Sequence, residues 1–556
     1  MPPKLPAVLV AVALIAAAAL WRLNADDPAQ RPAERLATDT RIFEDADPMT
    51  RACDLADRVL LRIWRGHHDI HSEDITTVPH LPNYSGSFGV TSHSGPWDYV
   101  QTIPLVLYGP GQIAPNGPID QFASISDLYP TIGALTGVEL EQRAGRVLPN
   151  TLEPIEDIPR VVVVVVWDGV GRNTLERHPE AWPNLRRMEQ EGTSFLGATV
   201  GSSPSITPAT HSSLGTGAFP RDHGVTAIEY RSEDGDVRTS FGGKDPSGLG
   251  LSTFGDDIDV ALGNAPKVGM LAWKSWHMGM LSHGASTPGG DADEMAIIGP
   301  HGDVTGNDAL YTTPSYLLGQ TDSLKAFART LDADDGARDG EWRGRDPLEM
   351  HDNPAWVTYQ KDLMMEMLEK GGYGDDEVPD LFVTNFKVTD IVSHQYSMDS
   401  EDEALVLEAQ DGVLGDLLDF LNVNVGGNYV VIVTSDHGNT PSSERSGAWP
   451  IQQGQLQEDV DTHFETPDGQ SLIEQTTAVG PFLDRAVMAE MGVAEMDVAR
   501  FLNAYTVAEN WNDPELPKGY EDRGDENLFA AAFPSDDIDK VMECAFGGRP
   551  PKDLEA

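Results

Sequence analysis

The sequence predicts an α/β protein built on a mostly parallel central sheet that is flanked by helices. Three short runs of β-branched and apolar residues, 161–166, 381–386 and 429–435, are typical of strands buried on both faces. Between the last two runs, residues 404–421 carry apolar side chains at helical spacing, as a crossover helix between parallel strands requires. Right-handed crossovers bring the carboxyl ends of such strands to one edge of the sheet, where ligands bind.

Length, composition and charge narrow the classes of function. The 556 residues are 40% hydrophobic, which is enough for a large core, and the net charge is −51. This acidic excess disfavours a nucleic-acid polymer or an anionic membrane surface as a partner, since both need basic patches. A small anionic substrate would need positive charge concentrated at its site, and bound metal ions supply such charge.

The first 50 residues predict an export segment followed by a tether. Residues 5–21 form an apolar, alanine-rich run, which is typical of a signal peptide or a signal anchor within residues 1–25. Because no A-x-A cleavage site follows, we favour an anchor, with a polar tether at 26–50 and the remaining chain outside the cytoplasm. There, Cys53 and Cys544 either pair as a disulfide or remain free thiols, and the sequence leaves both open.

The rest of the chain divides into predicted segments. These are a first segment at 51–150, the first half of a catalytic core at 158–231, an inserted cap at 232–374, the second half of the core at 375–440, and a C-terminal segment at 441–556 that packs on the core. The cap is inferred because residues 232–374 do not alternate strands and helices cleanly. In the first segment, His93 lies in a loop just before a strand pattern at 103–110.

Carboxylates and imidazoles follow the three predicted strands. They are Asp168 after the first strand, Asp390 and His394 after the second, and Asp436 and His437 after the third. Such ligands without a thiolate favour zinc, with manganese as the second choice, because imidazole is a poor ligand for magnesium and calcium. Two cations would neutralise carboxylates that otherwise repel one another, and they would suit the hydrolysis of a phosphate ester.

Thr207 precedes Pro208 at the start of a predicted helix. Threonine before proline is a common helix start, so the hydroxyl is expected to cap the helix. A hydroxyl at a helix N-terminus also faces unpaired N–H groups and the positive end of the helix dipole, which suits an attacking oxygen and a bound phosphate. From these residues alone, Thr207 is either only a helix cap or also an attacking oxygen.

These motifs together resemble the alkaline phosphatase superfamily, especially its type I phosphodiesterase and nucleotide pyrophosphatase branch. They are PSITPATHSSLGTGAFPRDHG at 204–224, Asp168-Gly169 after the valine strand, Asp390-x-x-x-His394, and VTSDHG at 433–438. The resemblance implies an alkaline phosphatase-like fold and a two-zinc phosphoric ester hydrolase that works through a threonyl-phosphate at Thr207. It also implies one zinc held by Asp168, Asp436, His437 and Thr207, and another held by Asp390, His394 and one more histidine.

In that family the last histidine follows the D-H-G block, in a small-residue motif ahead of a strand. Only His463 lies beyond His437 in this chain, and no such strand follows it. The stretch GVTSHSGPWDYVQTIPLVLYGPG at 89–111 resembles the family's C-terminal motif instead. We therefore expect a circularly permuted order in which His93 completes the second zinc site, with His463 as the alternative.

The resemblance also makes Lys274 and Thr210 candidate substrate-binding residues. Related threonine phosphomonoesterases carry Lys-x-Arg where this chain has Lys274 and Trp276, so an arginine clamp on free phosphate oxygens is missing there. Thr210 stands where the diesterase branch has an asparagine. Small-molecule phosphodiesters or pyrophosphates are therefore the preferred substrates. The alternatives are a phosphomonoesterase or a phosphonate hydrolase and, from another class, a catalytically inactive anchored surface protein.

Overall fold

The computed structural model describes residues 47–153 and 158–547. The predicted signal segment at 1–25 and nearly all of the predicted tether at 26–50 lie outside these residues. Within the described ranges, no helix is both long enough and apolar enough to cross a membrane.

The elements are numbered in chain order. The strands are β1 (Ile75–Pro79), β2 (Tyr84–Ser85), β3 (Leu105–Tyr108), β4 (Gly117–Ser124), β5 (Val161–Trp167), β6 (Thr193–Thr199), β7 (Glu229–Arg231), β8 (Val237–Thr239), β9 (Val268–Ala272), β10 (Glu294–Ile298), β11 (Val304–Thr305), β12 (Asp380–Phe386), β13 (Tyr429–Thr434), β14 (Pro450–Ile451), β15 (Ile473–Thr476), β16 (Pro481–Leu483) and β17 (Phe529–Pro534). The α-helices are α1 (Pro48–Cys53), α2 (Asp57–Gly66), α3 (Asp98–Gln101), α4 (Leu128–Thr136), α5 (Arg172–Arg177), α6 (Pro183–Glu191), α7 (Thr207–Thr216), α8 (Pro220–His223), α9 (Phe254–Ala261), α10 (Thr321–Asp334), α11 (Pro354–Gly371), α12 (Val388–Tyr396), α13 (Glu401–Asn424), α14 (Ser443–Ser446), α15 (Gln453–His463), α16 (Arg485–Met491), α17 (Glu495–Ala504) and α18 (Ile538–Phe546).

The central sheet contains nine of the described strands, in the order β11-β10-β9-β12-β5-β13-β3-β6-β4. Pairing is parallel except at β11 and at β3, which runs antiparallel to both of its neighbours. The predicted mostly parallel α/β sheet is therefore confirmed. The three strands that the sequence predicts, β5, β12 and β13, lie side by side at its centre.

The valine strand β5 is central because it has no polar face. Val161, Val163 and Val165 pack into one hydrophobic cluster, while Val162 and Val164 pack into the cluster on the opposite face. This is the alternation that a strand imposes on successive side chains. Helices α11 and α13 cover the first face, and helices α4, α7 and α9 cover the second.

The register of the central strands aligns their carboxyl ends. Phe386 of β12 pairs with Trp167 of β5, and Thr434 of β13 pairs with Val166 of β5. The residues that follow the strands therefore emerge next to one another at one edge of the sheet. The predicted crossover helix between β12 and β13 is α13, which begins after its N-cap Ser400.

The first predicted segment, 51–150, joins two parts of the molecule. Its strands β3 and β4 belong to the central sheet, whereas β1 pairs antiparallel with β17 near the other end of the chain. Cys53 and Cys544 form a disulfide there, with their Cα atoms 5.9 Å apart. Of the two alternatives for the cysteines, the structure therefore has the paired one.

The predicted cap at 232–374 is wrong in extent. Three strands from this segment, β9, β10 and β11, continue the central sheet beyond β12, and helix α11 packs into the main core. The strand β9 gives a weak signal in the sequence because Val268–Ala272 contains glycine, methionine and alanine instead of a β-branched run. Much of the segment is thus part of the core.

Candidate metal and phosphate site

The predicted carboxylates meet at the carboxyl edge of the central sheet. Asp168 follows β5 directly, Asp436 follows β13 by two residues, and Asp390 lies in the first turn of α12, just after β12. The exposure of each of these residues is 2% or less. Burying three carboxylates is costly unless cations or hydrogen-bond donors face them.

One group that can hold a metal ion consists of Asp168, Asp436 and His437, whose ligand atoms all lie within 4.8 Å of one another. The His437 Nε2 atom is 3.3 Å from Asp436 Oδ2 and 3.8 Å from Asp168 Oδ1. The His437 Nδ1 atom lies 3.1 Å from the Gly438 carbonyl oxygen, so a proton on Nδ1 leaves the Nε2 lone pair facing the group.

The second group consists of His93, Asp390 and His394. The Nε2 atom of His93 lies 3.7 Å from Asp390 Oδ1, and the Nε2 atom of His394 lies 3.4 Å from the same oxygen. The Nδ1 atoms point away, to the Ser205 carbonyl at 2.8 Å for His93 and to the Thr91 carbonyl at 2.6 Å for His394. Donation from Nδ1 to a carbonyl fixes the ring and leaves Nε2 as an acceptor, as metal-binding histidines require.

The alternative histidine, His463, is in neither group. It is the last residue of α15. Its ring centroid lies 4.8 Å from that of Phe464 and 4.6 Å from that of Phe501. The structure thus places His93, and not His463, beside Asp390.

Thr207 is the first residue of α7 and lies beside these groups. The N-cap of α7 is Ile206 and the helix has no side-chain cap, so the predicted capping role of Thr207 is wrong. Its Oγ1 atom instead lies 3.2 Å from Lys387 Nζ, and only 3% of the residue is exposed. The hydroxyl therefore lies in the site, next to the unpaired N–H groups of the first helical turn.

Lys387 is a site residue that the sequence interpretation missed. Its Nζ atom lies 2.8 Å from Asp168 Oδ1 and 2.8 Å from Asp390 Oδ2, in addition to its contact with Thr207. Burial would lower the pKa of this ammonium, but the charges of Asp168 and Asp390 outweigh burial and raise it. Lys387 directly follows β12, and Asp168 directly follows β5. The matching positions after two predicted strands are the sequence feature that could have identified Lys387.

Asp168 is also held from its other side. The Asn385 Nδ2 atom donates to Asp168 Oδ2 at 2.9 Å, and the His277 Nε2 atom lies 3.3 Å from the same oxygen. The Asn385 amide also lies 3.0 Å from His211 Nε2, and His211 Nδ1 lies 2.8 Å from the Thr207 carbonyl oxygen. The sequence interpretation assigned these three residues no site role. Asn385 holds Asp168 directly, whereas Asp168, His211 and His277 form a further group whose ligand atoms lie within 4.8 Å of one another.

The donors of both groups fit a metal ion. Asp390 Oδ1, Asp436 Oδ2 and His437 Nε2 are buried and have no hydrogen-bond partner among the described residues, and all three belong to the two groups. Burial and the charge of Asp168 raise the pKa of Asp436 to about 7, so a bound cation would favour the charged form of this carboxylate. Imidazole nitrogen with carboxylate oxygen is a ligand set that zinc accepts.

Of the two predicted substrate-binding residues, Lys274 is exposed and Thr210 is buried. The Lys274 Nζ atom lies 4.5 Å from the Trp276 ring centroid, and the side chain reaches solvent. Partial burial and the charge of Lys387 lower the pKa of Lys274. The Thr210 hydroxyl donates to the Ile206 carbonyl within α7 at 3.1 Å, as helical threonines commonly do, and its role in substrate binding stays a prediction.

The sequence model of the family described as type I phosphodiesterase / nucleotide pyrophosphatase matches residues 162–513, more than half of the chain. The chain is 23% identical over 421 residues to a protein named calcium-transporting ATPase from Myroides odoratus, covering 66% of this chain and 71% of that one. It is 22% identical over 360 residues to alkaline phosphatase PhoV from Synechococcus elongatus, covering 54% and 62%, respectively. Among solved structures, a variant of alkaline phosphatase PafA has a TM-score of 0.50 at 16% identity, covering 68% of this chain and 85% of that one.

Proposed function

Because the chain belongs to the type I phosphodiesterase / nucleotide pyrophosphatase family of the alkaline phosphatase superfamily and is a phosphoric ester hydrolase, we propose that it works through a threonyl-phosphate at a two-metal site. The observation that carries the proposal is the position of Thr207 Oγ1, which lies beside the two metal-binding groups and 3.2 Å from Lys387 Nζ. A buried hydroxyl next to a fixed cation is suited to nucleophilic attack on an anionic ester.

In the proposed reaction, Thr207 Oγ1 attacks phosphorus, and the Oγ–P bond forms as the bond to the leaving oxygen breaks. The leaving oxygen keeps the bonding electrons and takes up the proton that the Thr207 hydroxyl releases. Water then attacks phosphorus and the Oγ–P bond breaks. A proton from that water restores the Thr207 hydroxyl, and the product departs as a phosphomonoester from a diester or as phosphate from a monoester. Lys387 stabilises negative charge on Oγ1 in both steps, and the N–H groups at the start of α7 face the phosphoryl oxygens.

Zinc is the metal we propose, with manganese as the second choice. Two sets of ligands would hold the two ions: Asp168, Asp436, His437 and Thr207 for one, and Asp390, His394 and His93 for the other. When bound, the ions supply positive charge that favours a deprotonated hydroxyl and stabilises charge on the phosphoryl group. The buried, unpartnered atoms of Asp390, Asp436 and His437 support this assignment.

For the substrate we propose a small-molecule phosphodiester or pyrophosphate. Support comes from Trp276, which packs against Lys274 where related monoesterases carry an arginine. The alternative is a phosphomonoesterase or phosphonate hydrolase, and one observation favours it: the Lys387 ammonium lies beside Thr207, where it could face the additional charge of a monoester. An inactive surface protein is disfavoured because the complete set of nucleophile and ligands is present.

The substrate proposal is tested with zinc-loaded protein on 4-nitrophenyl phosphate and bis(4-nitrophenyl) phosphate. We expect a higher kcat/KM for the diester, and a higher value for the monoester would establish the alternative. Acid quenching during turnover of the diester, followed by mass spectrometry, is expected to locate a 4-nitrophenyl phosphoryl group on Thr207; with the monoester the expected adduct is phosphate. A quenched enzyme that carries no adduct, together with near wild-type kcat in Thr207→Ala, would contradict the covalent mechanism.

The metal assignment is tested by counting zinc in two histidine variants. We expect two zinc ions per chain in the wild type, one in His93→Ala, and two in the control His463→Ala. Loss of zinc in His463→Ala but not in His93→Ala would overturn the assignment of His93. The proposed permuted order of segments would then be wrong as well, because it depends on this residue.

We further propose an extracytoplasmic location, with any membrane contact confined to the N-terminal segment. The disulfide between Cys53 and Cys544 supports this location, since disulfides persist in oxidising compartments. Selective labelling of the intact cell surface tests the location, and protein found only in the cytosolic fraction would contradict it.

A further inference from the structure

Away from the two metal-binding groups, Asp259, Asp291 and Asp293 form an acidic cluster, here called the Asp259 cluster. Their ligand atoms all lie within 4.8 Å of one another. Asp259 lies in the last turn of α9, and the other two lie in the loop that leads into β10. Asp259 and Asp293 are only 2% and 7% exposed, whereas Asp291 is open to solvent. None of the three belongs to the catalytic site.

A neighbouring carboxylate on the same helix shows what the Asp259 cluster lacks. Asp256 is also 2% exposed. Its oxygens accept from the His283 N–H at 2.6 Å, from the His283 ring at 2.7 Å and from the Thr253 N–H at 2.8 Å. One turn later, Asp259 Oδ1 is equally buried but has no hydrogen-bond partner in the described part of the chain. A buried carboxylate oxygen without a partner is costly.

The charges around Asp259 increase this cost. The charged groups that act on it are Asp291 and Asp256, both negative, and with burial they raise its pKa to about 6. Asp259 also lies at the negative end of the α9 dipole, and the last turn of α9 contains no basic residue. Within residues 47–153 and 158–547, no lysine, arginine or histidine forms an ion pair with any of the three aspartates.

The loop is fixed so that its two aspartates converge on Asp259. The Thr312 N–H donates to the Asp293 carbonyl at 2.8 Å, and the Thr312 hydroxyl donates to the Ala292 carbonyl at 3.2 Å. The Ser282 hydroxyl donates to the Asp293 carboxylate. The cluster therefore presents oxygen atoms without imidazole or thiolate, which is the ligand type of a hard cation and not of zinc.

We propose that Asp259, Asp291 and Asp293 bind one calcium ion, separate from the catalytic metals. The ion neutralises the buried Asp259 carboxylate and ties the last turn of α9 to the loop before β10. The site is open to solvent at Asp291, and water molecules there complete the six to eight oxygen ligands that calcium takes. The proposal does not depend on the proposed function.

The test uses the full chain, loaded with zinc and transferred to calcium-free buffer. Calcium chloride is titrated in a calorimeter, and the thermal midpoint of unfolding is measured with and without roughly 5 mM calcium, above the dissociation constants of typical extracellular sites. We expect one calcium ion per chain and a rise in the midpoint of at least about 2 °C. A wild type with no bound calcium and no shift overturns the proposal.

Variants assign the response to the Asp259 cluster. Asp259→Asn and, as a second variant at the exposed position, Asp291→Asn are expected to lose or weaken calcium binding at least tenfold. Asp322→Asn is the control, because that carboxylate is 94% exposed. Asp390→Asn, in the catalytic site, is expected to keep the calcium response. A response that persists in Asp259→Asn, or disappears in Asp390→Asn, overturns the assignment.

Discussion

Two sets of three aspartates among the described residues differ in what faces them. One set is Asp168, Asp390 and Asp436 in the proposed catalytic site, and the other is the Asp259 cluster. The catalytic carboxylates share the Lys387 ammonium, which lies 2.8 Å from two of them, and imidazoles surround them. The Asp259 cluster has one hydroxyl donor and no cation among the described residues. An internal cation lets carboxylates stay charged and buried while metal ions or substrate exchange, whereas a cluster without one depends on protons or ions from solution.

The largest expected effect is on kcat, and it distinguishes a hydroxyl of the proposed catalytic site from a hydroxyl at the Asp259 cluster. Thr207→Ala should lower kcat by about 10⁴-fold or more, because the proposed nucleophile is lost. Ser282→Ala is the control, since that hydroxyl contacts Asp293 of the Asp259 cluster and is assigned no part in hydrolysis, and it should keep kcat within a few fold. Initial rates on the aryl esters give both values, and a Thr207→Ala enzyme with near wild-type kcat contradicts the role of Thr207.

Removing the Lys387 ammonium should leave the buried carboxylates of the proposed catalytic site without a cation, as in the Asp259 cluster. Lys387→Met is expected to lower the free energy of unfolding of the metal-free protein by about 3–5 kcal/mol, because buried carboxylates lose their partner. Denaturant unfolding measures this change, and added zinc should recover part of it.

The control for Lys387 lies at the opposite end of β12. Lys267 is 3.9 Å from Asp380 and its side chain is 40% exposed, so Lys267→Met should cost less than about 1 kcal/mol. Equal losses in the two lysine variants would show that the catalytic carboxylates do not depend on Lys387.

A smaller effect is expected from the side chain that orients Asp168. Asn385→Ala removes the donor to Asp168 Oδ2 at 2.9 Å without removing a metal ligand. The affinity for zinc should fall by about 10–100-fold, as is typical when a partner of a metal ligand is lost. Competition with a chromophoric chelator measures this affinity. An unchanged zinc affinity would show that Asn385 does not orient the ligand.

The smallest effect is expected within α9. In calcium-free buffer, Asp256→Asn should cost about 1–3 kcal/mol of unfolding free energy, because it weakens charge-assisted hydrogen bonds. Asp259→Asn should be neutral or stabilising, because it relieves repulsion between carboxylates. Denaturant unfolding compares the two variants. If Asp259→Asn were the more damaging one, Asp259 would have a partner within the protein.

The sequence predicts the parts of the site that follow strong strand signals. Asp168 follows a wholly valine run, and VTSDHG follows another buried strand, so the edge of the sheet can be located without coordinates. His93 was predicted by resemblance alone, and the structure places it beside Asp390.

Other parts depend on contacts that sequence patterns do not contain. A lysine such as Lys387 is normally solvated, and only the pairing of β12 with β5 shows that it is buried at the site. The hydrogen bond from the Thr210 hydroxyl to a backbone carbonyl of its own helix is a second contact that the sequence pattern does not show. The cap was drawn too large because β9 is glycine- and methionine-containing and depends on its neighbours for its strand conformation.

The disulfide has a topological consequence. Cys53 and Cys544 are separated by 491 positions along the sequence, so their bond closes nearly all of the described chain into one covalent loop. In a closed loop, the order of segments depends only on the position at which the backbone begins and ends. The proposed permutation corresponds to a different choice of that position. A single peptide-bond cleavage between the cysteines would also leave His93 and Asp390 in one covalent molecule, even when they lie on different fragments.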